Sequence, residues 1–221
     1  MKLKSWSYST LKTYRTCPAK VGFKLSGIRE PESEAMARGT DIHLQAELFV
    51  KEKQKRLPES LIKFKKEFFK VQGMEYVRCE EEWAFTKDWA PCAWDSKDAW
   101  VRMKVDALYV AMKGKQRKLV IIDYKTGKTY DENKPQLSLY ATAAFIMHPE
   151  IDVVEGELWY LDLGSKHTDR FERSELEDMK EAWAYDVRGM MADTIFAPRP
   201  NYKCKWCFYA KNKNGNCEFG A

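Results

Sequence analysis

An acid and an amine at the end of an apolar stretch have the residue types and the spacing that a catalytic site could use. Asp123 and Lys125 follow the continuous apolar run of residues 119–122, which predicts a strand buried on both faces. Acid and amine would then lie together at the rim of a core sheet, where burying either charge alone is costly. The three other acid-x-Lys triplets of the chain follow no such strand. The pair therefore predicts either a reactive site or a salt-bridged strand end.

A second carboxylate, Asp106, lies within residues 100–112, which are rich in aromatic and β-branched residues and predict a strand. If this strand pairs with the strand that ends at Asp123, the two carboxylates lie side by side. Carboxylates a few ångströms apart repel each other and become stable when a divalent cation binds between them, and oxygen ligands suit Mg²⁺ or Mn²⁺. Lys125 would then stand next to the metal, where an ammonium can orient a water molecule or stabilise charge on a phosphate.

Two helical stretches carry polar side chains four residues apart, a spacing that places them on one helical face. His43 and Glu47 form one such pair, and Gln136 and Tyr140 form the other. Each pair fits either a functional site or ordinary helix surface and core.

The uneven placement of the cysteines predicts a metal-binding tail. Cys204, Cys207 and Cys217 lie close together, and Cys17 is the natural fourth ligand because the ends of a compact domain often meet. Four thiolates suit an iron–sulfur cluster or Zn²⁺, with free thiols as the alternative. The two remaining cysteines fall outside this pattern and are interpreted as ordinary residues.

The elements that must position these residues follow from the hydrophobic periodicity. A short helix capped by Ser7 and running into Cys17-Pro18 is predicted first. Further helices are predicted over residues 35–53, 59–71, 135–147 and 174–195, and strands over residues 76–86, 100–112, 118–123, 153–163 and 168–172. This order predicts an α/β fold with a mixed sheet flanked by helices. We expect a single domain over residues 1–221, made of an N-terminal helical segment (1–35), a core (36–197) and a cysteine-rich tail (198–221).

Composition and charge exclude some classes of protein. Hydrophobic residues make up 44% of the 221 residues, which excludes general disorder, and no apolar run approaches the ~20 residues of a membrane span. Since no secretory signal is visible either, we expect a soluble cytoplasmic protein with no membrane partner. The net charge is only +5, but basic residues cluster at 2–29, 51–70 and 199–213, which fits either nucleic-acid binding or solvated surface lysines. The tryptophan-rich stretch 89–100 fits either core packing or stacking on bases.

The chain resembles the RecB-like branch of the PD-(D/E)xK nucleases in an ordered set of motifs that spans residues 7–217. The motifs are Ser7-Tyr8-Ser9-Thr10-Leu11-x-x-Tyr14-x-x-Cys17-Pro18, Gly39-Thr40-x-x-His43-x-x-x-Glu47, Asp106, Asp123-x-Lys125-Thr126-Gly127 and Gln136-x-x-x-Tyr140. Val105, rather than proline, precedes Asp106, a departure that is common in this branch. The resemblance implies a restriction-endonuclease-like core with the N- and C-terminal segments joined at a cysteine site.

The resemblance also implies a role for each matching residue. The metal ligands would be His43, Asp106, Asp123 and the backbone carbonyl of Tyr124. Asp106, Asp123 and Lys125 would be the catalytic residues, and Gln136 and Tyr140 would position DNA or support the lysine. In iron–sulfur members such as the CRISPR-associated exonucleases, one cysteine before the nuclease motifs and three after them hold a [4Fe–4S] cluster. The matching residues would be Cys17, Cys204, Cys207 and Cys217, although the last gap is longer than expected.

The expected function is a Mg²⁺- or Mn²⁺-dependent DNA exonuclease that resembles the CRISPR-associated and phage exonucleases. It would act on single strands or duplex ends in recombination, repair, phage replication or CRISPR adaptation, with a recombination or replication protein as a partner. The alternatives are a non-catalytic nucleic-acid-binding module with a zinc-ribbon-like tail, and an endonuclease on the same fold.

Overall fold

The computed structural model of the chain describes residues 1–52, 54–74, 76–113, 116–213 and 215–219. The chain is divided into two compact units. One consists of Met1–Glu32 and Ala184–Ala221, and the other of Ser33–Trp183. The first and last segments of the chain therefore belong to one compact unit.

Within the described residues the chain forms six α-helices and six β-strands. The helices are α1 (Tyr8–Thr16), α2 (Pro18–Leu25), α3 (Glu34–Lys51), α4 (Lys65–Gln72), α5 (Pro135–Met147) and α6 (Leu176–Ala192). The strands are β1 (Val77–Phe85), β2 (Pro91–Cys92), β3 (Val101–Lys113), β4 (Gln116–Lys125), β5 (Val153–Tyr160) and β6 (Ser165–Glu172).

The strands form one mixed sheet in the order β2-β1-β3-β4-β5-β6. All neighbours are antiparallel except β4 and β5, which run parallel and are therefore joined by a crossover that contains α5. The predicted α/β fold with a mixed sheet flanked by helices is confirmed, and it is consistent with a restriction-endonuclease-like fold.

Some boundaries differ from the sequence-based predictions for local reasons. The predicted helix 59–71 begins as a 3₁₀ helix at Glu59–Phe64 and becomes α-helical only at Lys65. The helix predicted over 35–53 spans Glu34–Lys51, and residue 53 lies outside the described residues. Helix α2 is an addition to the predicted elements; it begins at Pro18, a residue that is suited to the first helical position because it lacks an N–H group.

One face of the sheet is covered by α3 and α4. The buried residues on this side come from α3 (Ile42, Ala46, Phe49, Val50), from the following helical segment (Leu61, Phe64, Phe68, Val71), from the strands (Cys79, Ala107, Tyr109, Val120, Ile122, Tyr124, Trp159) and from Leu161, just after β5. Phe64 stacks on Trp159 with ring centroids 5.0 Å apart. This core fixes α3, and with it His43, against the central strands.

Helix α5 packs closely on β5 because Gly156 has no side chain. A Cβ atom at Gly156 would lie 2.9 Å from the Cβ atom of Leu137, closer than real Cβ contacts allow. The glycine thus sets the distance between strand and helix, and the helix carries Gln136 and Tyr140.

The tryptophan-rich stretch contributes to the core at its first residue. Trp89 is buried, and its ring lies edge-on to Trp100 with centroids 5.6 Å apart. Trp94 is 38% exposed. Packing is therefore the role that the structure supports for Trp89.

Within the smaller unit, hydrogen bonds and an ion pair join the N-terminal helices to the C-terminal segment. The Tyr14 hydroxyl donates to Asp193 at 2.9 Å, and Arg15 forms an ion pair with Asp186. Ser7 caps α1 by accepting the Thr10 N–H. None of the helices in the described part of the chain has the length and apolar character needed to span a bilayer.

Candidate metal centre and active site

Three carboxylates lie in one row across neighbouring strands of the sheet. Cys79 pairs with Ala107 and Glu81 pairs with Val105, so Glu80 on β1 stands opposite Asp106 on β3. Ala107 also pairs with Ile122, and Asp106 and Asp123 are the next residues beyond this pair on β3 and β4. Adjacent strands lie about 4.8 Å apart, so the row places Glu80 on one side of Asp106 and Asp123 on the other. Among the described residues, the close group of ligand atoms includes Glu80 and Asp106 but not Asp123.

Asp106 links the central strands to α3. Its Oδ2 accepts the backbone N–H of Tyr124 at 2.7 Å, and its Oδ1 lies 3.3 Å from His43 Nδ1. Burial works to lower the pKa of His43, but the hydrogen bond and charge of Asp106 outweigh it and raise the pKa. The imidazole therefore faces a carboxylate and offers a nitrogen ligand beside oxygen ligands.

Asp123 is the most deeply buried acid of the row, with only 3% of its surface exposed. Burial raises the pKa of Asp123, and the Asp106 charge adds to this, while the Lys125 ammonium opposes it. Asp123 Oδ2 forms an ion pair with Lys125, and Oδ1 lies 3.1 Å from the Tyr140 hydroxyl. A buried carboxylate with one cationic partner is well suited to hold a divalent cation.

The lysine is held from the side of α5. Lys125 Nζ donates to Gln136 Oε1 at 3.0 Å, and Gln136 Nε2 donates to the Tyr140 hydroxyl at 2.6 Å. That hydroxyl oxygen also lies 2.9 Å from the carbonyl oxygen of Lys104 on β3. Gln136 and Tyr140 therefore contact the lysine and the aspartate directly, as their spacing on one helical face allows.

The segment after Lys125 is held against α3 by Asp162 and Gly39. Arg38 donates two hydrogen bonds to the Asp162 carboxylate, at 2.6 and 3.0 Å, and the Gly127 N–H donates a third at 2.6 Å. A Cβ atom at Gly39 would lie 3.3 Å from Thr126 Oγ1, so the glycine permits the close approach. These contacts explain the glycine and threonine in the two motifs.

Asp162→Asn is expected to lower Tm by about 2–4 °C at pH 7, because roughly 1 kcal/mol of charge-assisted hydrogen bonding is lost. The Arg38 hydrogen bond holds the pKa of Asp162 below its ordinary value of 3.8, so this stability is present above pH 3.8 and is lost as the pH falls through the lowered pKa. Thermal unfolding from pH 7 down to pH 3 measures the difference. Asp131→Asn, which removes an exposed ion pair with Lys134, is the control and should change Tm little. An equal Tm for Asp162→Asn and the wild type at pH 7 would refute the contribution.

The donor atoms at the centre of the row fit a small divalent cation. One ligand atom each from His43, Glu80 and Asp106 lies within 4.8 Å of the others. Carboxylate oxygens with one imidazole nitrogen suit Mn²⁺ and Mg²⁺. The backbone of Tyr124 lies beside this group, since its N–H is bound to Asp106.

Glu80 is the residue of this group that the sequence motifs do not include. The motif instead groups His43 with Glu47, which lies one helical turn after it. Glu47 forms an ion pair with Lys51 at 2.6 Å. Glu80 is the first of three consecutive glutamates, and the sequence alone does not show which of them faces Asp106. The pairing register of β1 with β3 is the signal that identifies it.

The four predicted cysteine ligands line one cavity in the smaller unit. The cavity has a volume of about 60 Å³, and Cys17, Cys204, Cys207 and Cys217 all lie on its wall. All four cysteines are free and partly exposed. Two backbone N–H groups, of Arg199 and Asn201, each donate to a cysteine sulfur at 3.3 Å. Such N–H···S bonds stabilise thiolates and tune iron–sulfur sites.

The tail folds back so that its last cysteine reaches this cavity. The Cys217 N–H donates to the carbonyl oxygen of Tyr209 at 2.8 Å. A Cβ atom at Gly215 would overlap the backbone of Tyr209, so only glycine fits at this close approach. Tyr209 in turn stacks on Phe23 of α2 with centroids 4.8 Å apart.

Comparisons with known proteins give one family match. The family model of the PD-(D/E)XK nuclease superfamily matches residues 5–211 of the chain. No curated protein matches the chain. Among solved structures, one titled "Crystal structure of SSO0001" aligns with 15% sequence identity and a TM-score of 0.44, over 95% of this chain and 85% of the other.

Proposed function

The chain belongs to the PD-(D/E)XK nuclease superfamily, and from this we propose that it is a metal-dependent DNA exonuclease that acts at the Asp106, Asp123 and Lys125 site. Membership implies metal-dependent hydrolysis of phosphodiester bonds. The observation that carries the proposal is the acidic row with Lys125 beside it, held by Gln136 and Asp123.

The residues that would hold Mg²⁺ or Mn²⁺ are His43, Asp106, Asp123 and the backbone carbonyl of Tyr124. The cation would polarise a phosphate oxygen and supply an activated water. Asp123 and Asp106 provide the anionic charge that draws a cation into the row. His43, beside Asp106, provides a nitrogen ligand.

Lys125 provides a positive charge beside the acidic row. Its ammonium, anchored by Gln136, is expected to stabilise the charge that develops on the phosphate as the bond breaks. Tyr140 keeps Asp123 in place through its hydroxyl. Gln136 and Tyr140 are therefore positioning residues for the lysine and the aspartate.

We propose that the protein belongs to the iron–sulfur, RecB-like exonuclease branch, and the cysteine cavity supports this proposal. The cavity brings together the one cysteine before and the three after the nuclease motifs. The proposed substrates are single-stranded DNA or duplex ends. The proposed setting is recombination, repair, phage replication or CRISPR adaptation, with a replication or recombination protein as partner.

A [4Fe–4S] cluster is proposed ahead of Zn²⁺ because one cysteine lies before the nuclease motifs and three lie after them, the order found in the iron–sulfur branch that the chain resembles. Four thiolates can also hold a zinc ion, so Zn²⁺ is the alternative occupant of the cysteine cavity.

Incubating the purified protein with end-labelled linear and unlabelled circular DNA, plus Mg²⁺ or Mn²⁺, tests the activity. Mononucleotides or short ladders from linear DNA, with intact circles, are expected. Cut circles would make the protein an endonuclease. A gel shift without products would make it a non-catalytic binding module.

His43→Ala is expected to raise the metal concentration needed for half-maximal cleavage, because one ligand of the cation is lost. Mn²⁺ should rescue the variant better than Mg²⁺, since Mg²⁺ demands near-ideal octahedral geometry and gives up its bound waters reluctantly. Metal titrations of cleavage with both ions measure this. His148→Ala, a partly exposed histidine paired with Glu150, is the control. Unchanged titrations for His43→Ala would return His43 to a packing role.

A further inference from the structure

The backbone of β1 is strained at one residue. Glu80 has φ = 58°, in the left-handed region, although it is not glycine and lies within the strand. Side chains other than glycine, asparagine and aspartate rarely adopt this conformation, and strain of this kind persists where the surrounding structure requires it. The preceding residue, Cys79, packs into the core on the α3 side of the sheet, so the strand is anchored where the strain begins.

The strain directs a charged side chain into the acidic row. Glu80 stands opposite Asp106, and one of its carboxylate oxygens lies within 4.8 Å of the nearest ligand atoms of both Asp106 and His43. Its side chain is only 19% exposed and forms an ion pair with Lys104. Two carboxylates, those of Glu80 and Asp106, therefore meet around the His43 imidazole, and the only ammonium group paired with either of them in the described residues is that of Lys104.

We propose that Glu80 is a direct ligand of the divalent cation, together with His43 and Asp106, and that the strained backbone is kept because it presents this carboxylate. The proposal rests on the proposed function and adds a ligand to its metal site. In the metal-free protein the Lys104 ammonium takes the place of the cation at Glu80. Metal binding would replace this ion pair with a direct contact between a Glu80 carboxylate oxygen and the divalent cation.

The proposal can be tested without an activity assay by titrating the metal-depleted protein with Mn²⁺. Electron paramagnetic resonance measures the free Mn²⁺ that remains at each point. Glu80→Gln should weaken Mn²⁺ binding by about tenfold or more, the loss expected when a metal site loses a supporting group. Glu82→Gln, an exposed glutamate on the same strand, is the matched control and should bind within about twofold of the wild type. Equal Mn²⁺ affinity for Glu80→Gln and Glu82→Gln would overturn the proposal.

Glu80→Gly separates the ligand role from a structural one. Glycine adopts φ = 58° without strain, so the metal-free variant should unfold at a temperature no lower than that of the wild type. It should still bind Mn²⁺ about tenfold more weakly or worse. Wild-type Mn²⁺ affinity in this variant would also overturn the proposal.

Asp123→Asn in the same assay separates failure of the Glu80 ligand from failure of the whole metal site. Weak binding by Asp123→Asn with normal binding by Glu80→Gln would remove Glu80 from the ligand set and leave the proposed nuclease site in place. Normal binding by Asp123→Asn would contradict the proposed function itself.

Discussion

Replacing Lys125 with alanine is expected to lower the rate of DNA cleavage by about 10²–10³-fold, the usual cost of losing a charged group that stabilises the transition state. Mn²⁺ and DNA affinity should stay within a few-fold, since the carboxylates and the other basic residues are unchanged. Asp123→Ala should abolish cleavage as well, because it removes a metal ligand. Single-turnover cleavage of labelled DNA, with separate Mn²⁺ and DNA titrations, measures the three quantities.

Lys128→Ala is the matched control for Lys125→Ala. Lys128 lies three residues later, and its side chain is exposed. Its loss should leave the cleavage rate nearly unchanged. Near-normal turnover by Lys125→Ala would place the active site elsewhere on the chain.

Cys17→Ser is expected to remove the metal of the cysteine cavity and to lower the stability of the protein. If the four cysteines hold one [4Fe–4S] cluster, the anaerobically purified protein should be brown, with absorbance near about 400 nm and roughly four irons per chain. Cys17 lies between α1 and α2, far in sequence from the other three cysteines, so the cluster would join the two ends of the smaller unit. Losing one ligand should therefore lower iron content and unfolding temperature together.

Cys92→Ser is the control, because Cys92 is partly exposed and does not line the cavity. It should keep full iron content and the wild-type unfolding temperature. Stoichiometric zinc without visible absorbance would refute the iron–sulfur assignment but keep the four-ligand site. A Cys17→Ser protein with full metal content would refute the four-ligand site.

The sequence predicted the parts of the site that follow from hydrophobic pattern and helical spacing. The apolar run 119–122 identified a buried strand, and the expected pairing of β3 with β4 is present up to Ala107 and Ile122, the residues next to Asp106 and Asp123. The spacing of Gln136 and Tyr140 placed both on one face of α5, where they contact Lys125 and Asp123. These predictions depended on local periodicity and one strand pairing.

The sequence could not predict features that depend on long-range register or on backbone strain. Glu80 belongs to a run of three glutamates, and only its pairing opposite Asp106 and its positive φ distinguish it. Asp162 lies far along the chain from Arg38 and Gly127, so its hydrogen bonds to both have no local signal. The closeness of Cys17 to the tail could be expected from the usual proximity of chain ends. The hydrogen bond from the Arg199 N–H to the Cys17 sulfur could not be expected from the sequence.

Cleavage of end-labelled linear DNA by the wild type and by Asp123→Asn, with Mn²⁺ or with a chelator, tests most directly whether the acidic row is a metal-dependent nuclease site. We expect the wild type to degrade the DNA only when the metal is present, and Asp123→Asn to bind the DNA without degrading it. Degradation by Asp123→Asn at the wild-type rate, or by the wild type in the presence of the chelator, would contradict this function.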